Sequence, residues 1–501
     1  MRAKSNRAAR VLYWCVPFVL AAVQWWISER GLNQIRYEEI AEAVRSVYWL
    51  DHRLLYDGVY TNVGWYGTLL IVYKLFGFSL FTGKFVRLAL HLAGLLSIAS
   101  ILRRAMNERA AVVPLALVGL SPTLLYFDSL ETSYGLDVMY AAICLRLLIA
   151  IDYARPAARD FWLATGVGGV AMIAAMSYPA FLVYAPSLAI VAAWLAQRAG
   201  APLVSATNTR LALSGLVGLA MPLIAVFAYV RTPRLLIYDP ETQAGLFRAG
   251  GQIGFNAQQL WTSMRVVAHD LFVQGASYYD EVSRPDFAGP LAIAGLCALV
   301  ATVACLAATR RVDRTLVAAA ALLLVTSAVA PSLSTQGEPG LRRCTGALAA
   351  YFAMFGLAWQ FYAARRERTP WITAGTVLCL LLPIDNALKV PSVADDVATP
   401  SNFRNVDWFA IDVTPIASLD RLLAQLDKGQ GLSCPRDDEN RVTPCRYQEA
   451  FAAMAGYREW NGYPTVDIHA ADWRTGDDII LSPRLWLDHH FPTCTRIEHC
   501  H

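Results

Sequence analysis

Residues 28–62, SERGLNQIRYEEIAEAVRSVYWLDHRLLYDGVYTN, interrupt an otherwise apolar amino-terminal region. They hold Glu38, Glu39, Glu42, Asp51 and Asp57 beside Arg36, Arg45 and Arg53, with Tyr48, Trp49, Tyr56 and Tyr60 between them. The stretch lies between a first apolar segment and a second that runs on from Tyr66. Rings and charges interleaved between apolar segments suit the headgroup level of a bilayer. The stretch therefore reads as a site at a membrane surface and not as a linker.

The rest of the chain supplies the membrane. Of 501 residues 56% are hydrophobic and only 16% charged, with a mean hydropathy of +0.38, which marks an all-α polytopic membrane protein. Crossing the hydrocarbon core takes roughly 20 residues with few charges, and about eleven such runs are legible. They fall at 11–27, 85–102, 112–127, 134–151, 161–177, 180–195, 211–230, 289–308, 316–333, 348–362 and 371–382.

Arginine and lysine in short loops stay on the cytoplasmic side. Arg2, Lys4, Arg7 and Arg10 open the chain, and every second loop repeats the bias: Arg103, Arg104 and Arg109; Arg155 and Arg159; Arg198 and Arg210; Arg310, Arg311 and Arg314; Arg365, Arg366 and Arg368. The amino terminus is thus expected in the cytoplasm. The first loop (28–83), the long segment 231–287 and the tail 391–501 are expected outside it, with the membrane domain covering 1–390. The first span ends in Trp25-Trp26-Ile27 without a small-residue cleavage pattern and reads as an uncleaved anchor.

The tail reads as a small soluble α/β domain. Leu419, Leu422, Leu423 and Leu426 recur at helical spacing, an amphipathic run covers 447–460, and 479–481 reads as a strand before Pro483. Its expected role is scaffolding over the outer face. Cys434, Cys445, Cys494 and Cys500 suit disulfides in an oxidising compartment. The crowd of His489, His490, Cys494, His499, Cys500 and His501 also raises a metal reading, but no C-x-x-C or H-E-x-x-H spacing supports it. The other cysteines lie singly in apolar runs or, for Cys344, in an outer loop.

Arg36-Tyr37-Glu38-Glu39-Ile40-Ala41, then Trp49, then Gly64-Trp65-Tyr66-Gly67-Thr68-Leu69-Leu70, then Lys74-Leu75-Phe76-Gly77-Phe78-Ser79, with Arg87 opening a span that closes at Arg103-Arg104, resemble the GT-C superfamily of polyprenyl-phosphate-sugar glycosyltransferases. The likeness is to the protein O-mannosyltransferase and aminoarabinose transferase branches. Ser121-Pro122 through Tyr126, followed by Asp128, Glu131 and Asp137, resembles that family's second acidic loop. Residues 166–179 resemble its fifth helix, and Gly340-Leu341-Arg342-Arg343 its phosphate-reading basic loop. The matches run in order over most of residues 10–385.

What the resemblance implies is a GT-C fold with a first-loop surface helix. The implied reaction is transfer of a sugar from a polyprenyl-phosphate carrier to a lipid, glycan or protein acceptor outside the cytoplasmic membrane of a bacterium, with no cofactor or catalytic metal. The residues carry no evident nucleotide site and no sign of a nucleic-acid partner; membrane lipids are the other expected partners. Two departures matter. The family's Asp-Glu pair falls on Asn33-Gln34, which carry no charge, and its Pro-Pro-Leu element is replaced by Val63-Gly64-Trp65.

An inverting transfer needs a carboxylate to take the acceptor's proton and positive charge for the departing phosphate. The candidate bases, in order, are Glu39, Glu38 and Asp57, then Asp128, Glu131 and Asp137. Arg342 and Arg343 break the positive-inside trend and suit the phosphate, or else snorkel or pair with Glu338. Trp65, Tyr66 and the second-loop acids are the further substrate-binding candidates. Asp137 is expected near the outer end of its span, Arg146 deeper as a structural charge, and His91 as a packing residue. In 231–287, Trp261, Arg265 and their neighbours suit a sugar or an interfacial belt, and Gly250-Gly251 reads as a turn.

Two other classes stay open: a transporter or flippase, which usually betrays internal repeats not found here, and a non-catalytic scaffold that binds lipid-linked sugar, for which Asn33-Gln34 are the best argument.

Overall fold

A computed structural model describes residues 7–31, 62–76, 80–202, 204–229, 256–273, 299, 302–304, 306–309, 312–333, 344–365, 369–398, 468–471 and 478–481. In chain order the helices are α1 (Arg7–Gly31), α2 (Val63–Phe76), α3 (Leu80–Ala105), α4 (Glu108–Gly119), α5 (Pro122–Asp128), α6 (Leu136–Ala150), α7 (Ala158–Ser177), α8 (Ala185–Arg198), α9 (Ala206–Tyr229), α10 (Ala257–Val273), α11 (Arg314–Val329), α12 (Thr345–Ala364) and α13 (Pro370–Ala398). Short 3-10 turns at Pro179–Tyr184 and Ala330–Leu333 lead into α8 and out of α11.

Among the described residues, eight helical segments are long and apolar enough to cross a membrane, and the pair α4–α5, bent by 59°, makes a ninth. All nine coincide with runs expected from hydropathy, so the chain has the build of a multi-pass membrane protein. Helix α6 answers the run at 134–151, but its 15 residues fall short of the ~20 that span a bilayer. The run at 289–308 lies largely outside the described residues, although Leu299, Val303 and Leu306 are buried in the main core with Tyr13, Leu95, Leu115, Met139, Leu348 and Phe355.

Proline shapes the part of the bundle that matters most. A proline inside a helix has no N–H to give the carbonyl four residues earlier. Pro114 in α4 so frees the Ala110 carbonyl, which accepts from the Trp359 indole at 2.6 Å. At the end of α4, Ser121 N–H turns back to the Val118 carbonyl. The Leu117 carbonyl takes the Asn386 side-chain amide instead, at 3.2 Å. The Ala110, Leu117 and Val118 carbonyls thus find partners, as buried backbone generally does. Beyond it α5 crosses the end of the bundle with all seven residues buried, and Gly135, at φ +76°, turns the chain into α6 where a side chain would be strained.

The bundle has two unlike ends. At one, Arg10 and Arg103 pair with Glu108 at 3.8 and 3.5 Å, Arg104 donates to the Ile149 carbonyl and Gln360 to that of Ala105. At the other, Gln24 of α1 donates to the Asp128 carbonyl at 2.5 Å, and Lys84 and Arg87 of α3 donate to the Ser129 and Tyr134 carbonyls that follow α5. Helices α1 and α3 run in opposite directions between these ends.

In the tail, β1 (Ile468–Ala471) and β2 (Asp478–Leu481) pair antiparallel, with Ile468 opposite Leu481 and Ala471 opposite Asp478. The strand expected at 479–481 lies in β2; β1 was not foreseen. The expected tail helices, the remainder of the α/β domain and the four tail cysteines lie outside the described residues.

Candidate functional site

The second acidic loop folds into the second end of the bundle, and Asp128, Glu131 and Asp137 are all buried there, at 1%, 0% and 2% exposure. The bend after α4 delivers Asp128 at the end of α5, the turn at 129–135 carries Glu131, and Asp137 sits in the first turn of α6. A carboxylate in a helix's first turn is favoured by the N-terminal end of the helix dipole.

Three residues of α3 at helical spacing, Lys84, Arg87 and His91, face this loop, and all three are buried. Arg87 Nη2 donates to Asp128 Oδ1 at 2.9 Å and to the Phe127 and Tyr134 carbonyls at 2.7 and 2.9 Å. His91 Nδ1 lies 2.6 Å from Asp128 Oδ2. Both oxygens of Asp128 are thus taken by protein partners. Lys84 Nζ donates to the Ser129 carbonyl at 3.0 Å. His91, expected to be a satisfied packing residue, is buried and bonds Asp128 through Nδ1, while its Nε2 has no hydrogen-bond partner among the described residues.

Glu131 accepts a hydrogen bond from the Tyr73 hydroxyl of α2. Its carboxyl lies directly over Gly83 of α3, where a β-carbon would collide with it. Glycine at that position is what lets the acid approach the helix. Asp137 Oδ2 accepts from the Tyr184 hydroxyl at 2.9 Å and from the Thr345 hydroxyl. The acid thereby ties α6 to the 3-10 turn before α8 and to the start of α12. Asp137 Oδ1 has no hydrogen-bond partner among the described residues.

Helix α2 closes one side. Val63, Trp65, Tyr66, Leu69, Leu70 and Tyr73 are buried on the bundle, while Ile71, Leu75 and Phe76 are exposed, an arrangement that suits an apolar face turned to lipid. Gly64 packs against the backbone of Ile173 and Ser177 in α7. The Trp65 ring lies 5.8 Å from the Arg87 guanidinium, and its buried Nε1 has no hydrogen-bond partner among the described residues. Asn62 donates to the Ser133 hydroxyl at 3.1 Å.

The fold therefore brings together Asp128, Glu131, Asp137, Trp65 and Tyr66. Glu38, Glu39, Asp57, Arg342 and Arg343 lie outside the described residues, as do most of 231–287 and its Gly250-Gly251. Of that segment, α10 is described: it follows Asn256, whose N–H bonds the Ser332 carbonyl, and Trp261 on it is exposed. Arg146 is half-exposed and lies in the field of Arg104 and Arg159, at the arginine-rich end and away from the site. Lys84, His91, Tyr73, Tyr184 and Thr345 were not singled out as site residues from the sequence. Two basic residues and a histidine at i, i+3 and i+7 in an apolar span form one stripe of a helix, a signal that was available. Among the described residues no group of three or more His, Cys, Asp or Glu could hold a metal ion.

No protein-family profile and no curated protein matches the chain. Solved structures of the Archaeoglobus fulgidus oligosaccharyltransferase are similar in fold. In the apo form the identity is 12%, the TM-score 0.46, and the match covers 86% of this chain and 60% of that one. The complex with zinc and sulfate gives 12%, 0.46, 88% and 61%. The form tethered to an acceptor peptide containing the NVT sequon gives 12%, 0.46, 84% and 57%. The chain spans about three-fifths of that protein's length, and at this TM-score no residue role is read across.

Proposed function

We propose that this protein is a GT-C-type membrane glycosyltransferase that moves a sugar from a polyprenyl-phosphate carrier to an acceptor at the extracytoplasmic face. The observation that carries the reading is the convergence of Asp128, Glu131 and Asp137 with Lys84, Arg87, His91 and Trp65 at the bundle end opposite the paired arginines. Ionisable groups buried in a membrane domain are costly and generally serve a function. The arginine-rich end belongs in the cytoplasm by the positive-inside rule, which puts the acidic cluster on the outer side.

Within this reading the residues divide the work. Asp128 is already spanned by Arg87 and His91 and serves to hold them. Lys84 and Arg87 are committed to loop carbonyls and to Asp128, so the charge for the leaving phosphate is assigned to Arg342 and Arg343. These precede Thr345, a direct partner of Asp137, by three residues and two, a chain reach of at most about 11 and 7 Å. The Trp65 indole N–H offers a donor to sugar or phosphate oxygen. The outward apolar face of α2 offers a wall along which a polyprenyl tail can lie. Glu38, Glu39 and Asp57 of the first loop complete the list of acids that can meet the substrate.

The test is transfer of radiolabel from polyprenyl-phosphate sugars in membranes that contain the protein, compared with Glu131→Gln and Asp137→Asn. Label should pass to an acceptor with the wild type and fall by about 100-fold or more with the loss of a catalytic carboxylate. The non-catalytic alternative has one observation in its favour, the uncharged Asn33-Gln34; binding of the donor without any transfer by the wild type would establish it.

A further inference from the structure

The three buried acids are held by different partners, and the two hydroxyl donors on one oxygen of Asp137 set its carboxyl apart. Asp128 has a partner on each oxygen, Arg87 on one and His91 on the other. Glu131 is engaged by Tyr73 and seated over Gly83. In Asp137 two hydroxyl donors, Tyr184 and Thr345, converge on Oδ2, while Oδ1, in a side chain only 2% exposed, meets no hydrogen-bond partner among the described residues. A buried carboxylate oxygen without a donor is expensive, and the cost is recovered if a ligand hydroxyl supplies the missing hydrogen bond. Two fixed donors on Oδ2 hold the carboxyl plane in one orientation, which is what a base needs. A second unpartnered polar group lies beside Arg87, the indole N–H of the fully buried Trp65.

Resting on the function proposed above, we infer that Asp137 is the catalytic base of this chain, standing in for the acidic pair that Asn33-Gln34 do not provide. The acceptor hydroxyl hydrogen-bonds to Asp137 Oδ1. As its oxygen forms a bond to the anomeric carbon, the bond from that carbon to the phosphate oxygen breaks and the electron pair leaves with the polyprenyl phosphate. The hydroxyl proton passes to Oδ1 and afterwards to solvent. Tyr184 and Thr345 act as positioning residues through Asp137.

Rates of transfer from a radiolabelled polyprenyl-phosphate sugar, measured across pH, and binding of radiolabelled polyprenyl phosphate test this. With wild-type transfer in hand, Asp137→Asn should lower kcat by 10²–10⁴-fold and leave polyprenyl-phosphate binding within about threefold. Tyr184→Phe and Thr345→Val should each move the acid limb of kcat to higher pH, because a carboxylate that loses a donor protonates more readily. The two hydroxyl variants decide the matter if Asp137→Asn fails to fold. Transfer by Asp137→Asn within about threefold of wild type, or an acid limb unmoved in both hydroxyl variants, overturns the assignment while leaving the transferase reading standing. A wild type that transfers from no donor overturns both.

Discussion

The guanidinium of Arg87 and the carboxylate of Asp128 lie 2.9 Å apart with side chains 0% and 2% exposed, and His91 closes on the other oxygen of the same acid. A charge pair so deeply buried is held by mutual neutralisation, and breaking it costs more than removing it whole. Asp128→Ala should destabilise the protein by about 3–5 kcal/mol, whereas Arg87→Met combined with Asp128→Leu should cost less than that single change. Unfolding in detergent, followed by tryptophan fluorescence, measures both.

Gly83 is small because Glu131 lies over it. Gly83→Ala should displace the Glu131 carboxyl from the Tyr73 hydroxyl at a cost of about 1–3 kcal/mol, the range of a mild overpacking. Because the two positions share one contact, adding Glu131→Ala to Gly83→Ala should cost less than the sum of the single changes. A double-variant cycle of unfolding free energies reads this directly.

Helices α7 and α9 touch backbone to backbone. A β-carbon at Gly168 would strike the Gly215 carbonyl and the Leu219 amide, and one at Gly218 the Thr165 carbonyl; small residues allow such approach in membrane bundles. Gly168→Ala should lower the melting temperature further than Gly83→Ala, since backbone cannot yield as a side-chain end can. Gly169→Ala, which meets nothing closer than 3.7 Å, should leave it nearly unchanged.

Trp359 satisfies the carbonyl that Pro114 strands. Trp359→Phe keeps much of the ring's apolar contact but leaves the Ala110 carbonyl without this donor, a loss of about 1–3 kcal/mol. The indole band lost in the near-ultraviolet spectrum and the lowered melting temperature should appear together.

Hydropathy located the spans because lipid contact demands apolar length, and that demand is written residue by residue. It could not show which acid is lodged inside, because Asp128 owes its place to Arg87 and His91 roughly one span earlier and to a bend set by Pro122. The order of preference from sequence put Glu39 first on local spacing; Glu39 lies outside the described residues, and the second-loop acids, ranked last, are buried near Trp65 and Tyr66. Tyr184 and Thr345 were beyond sequence reading, since neither hydroxyl is remarkable until Asp137, 47 residues before the one and 208 before the other, lies against it. The stripe Lys84, Arg87 and His91 was legible in the sequence but was not read as a polar face of α3. The resemblance grouped the second-loop acids, without showing which side chains hold each of them.

The most direct test of the central claim compares label transfer from polyprenyl-phosphate sugars by wild type, Glu131→Gln, Asp137→Asn and Glu108→Gln, the last altering an acid at the opposite end of the bundle. The account predicts transfer by the wild type, near-equal transfer by Glu108→Gln, and loss of about 100-fold or more in Asp137→Asn with the protein still folded. Undiminished transfer in both Glu131→Gln and Asp137→Asn would contradict the placement of the active site in the buried acidic cluster.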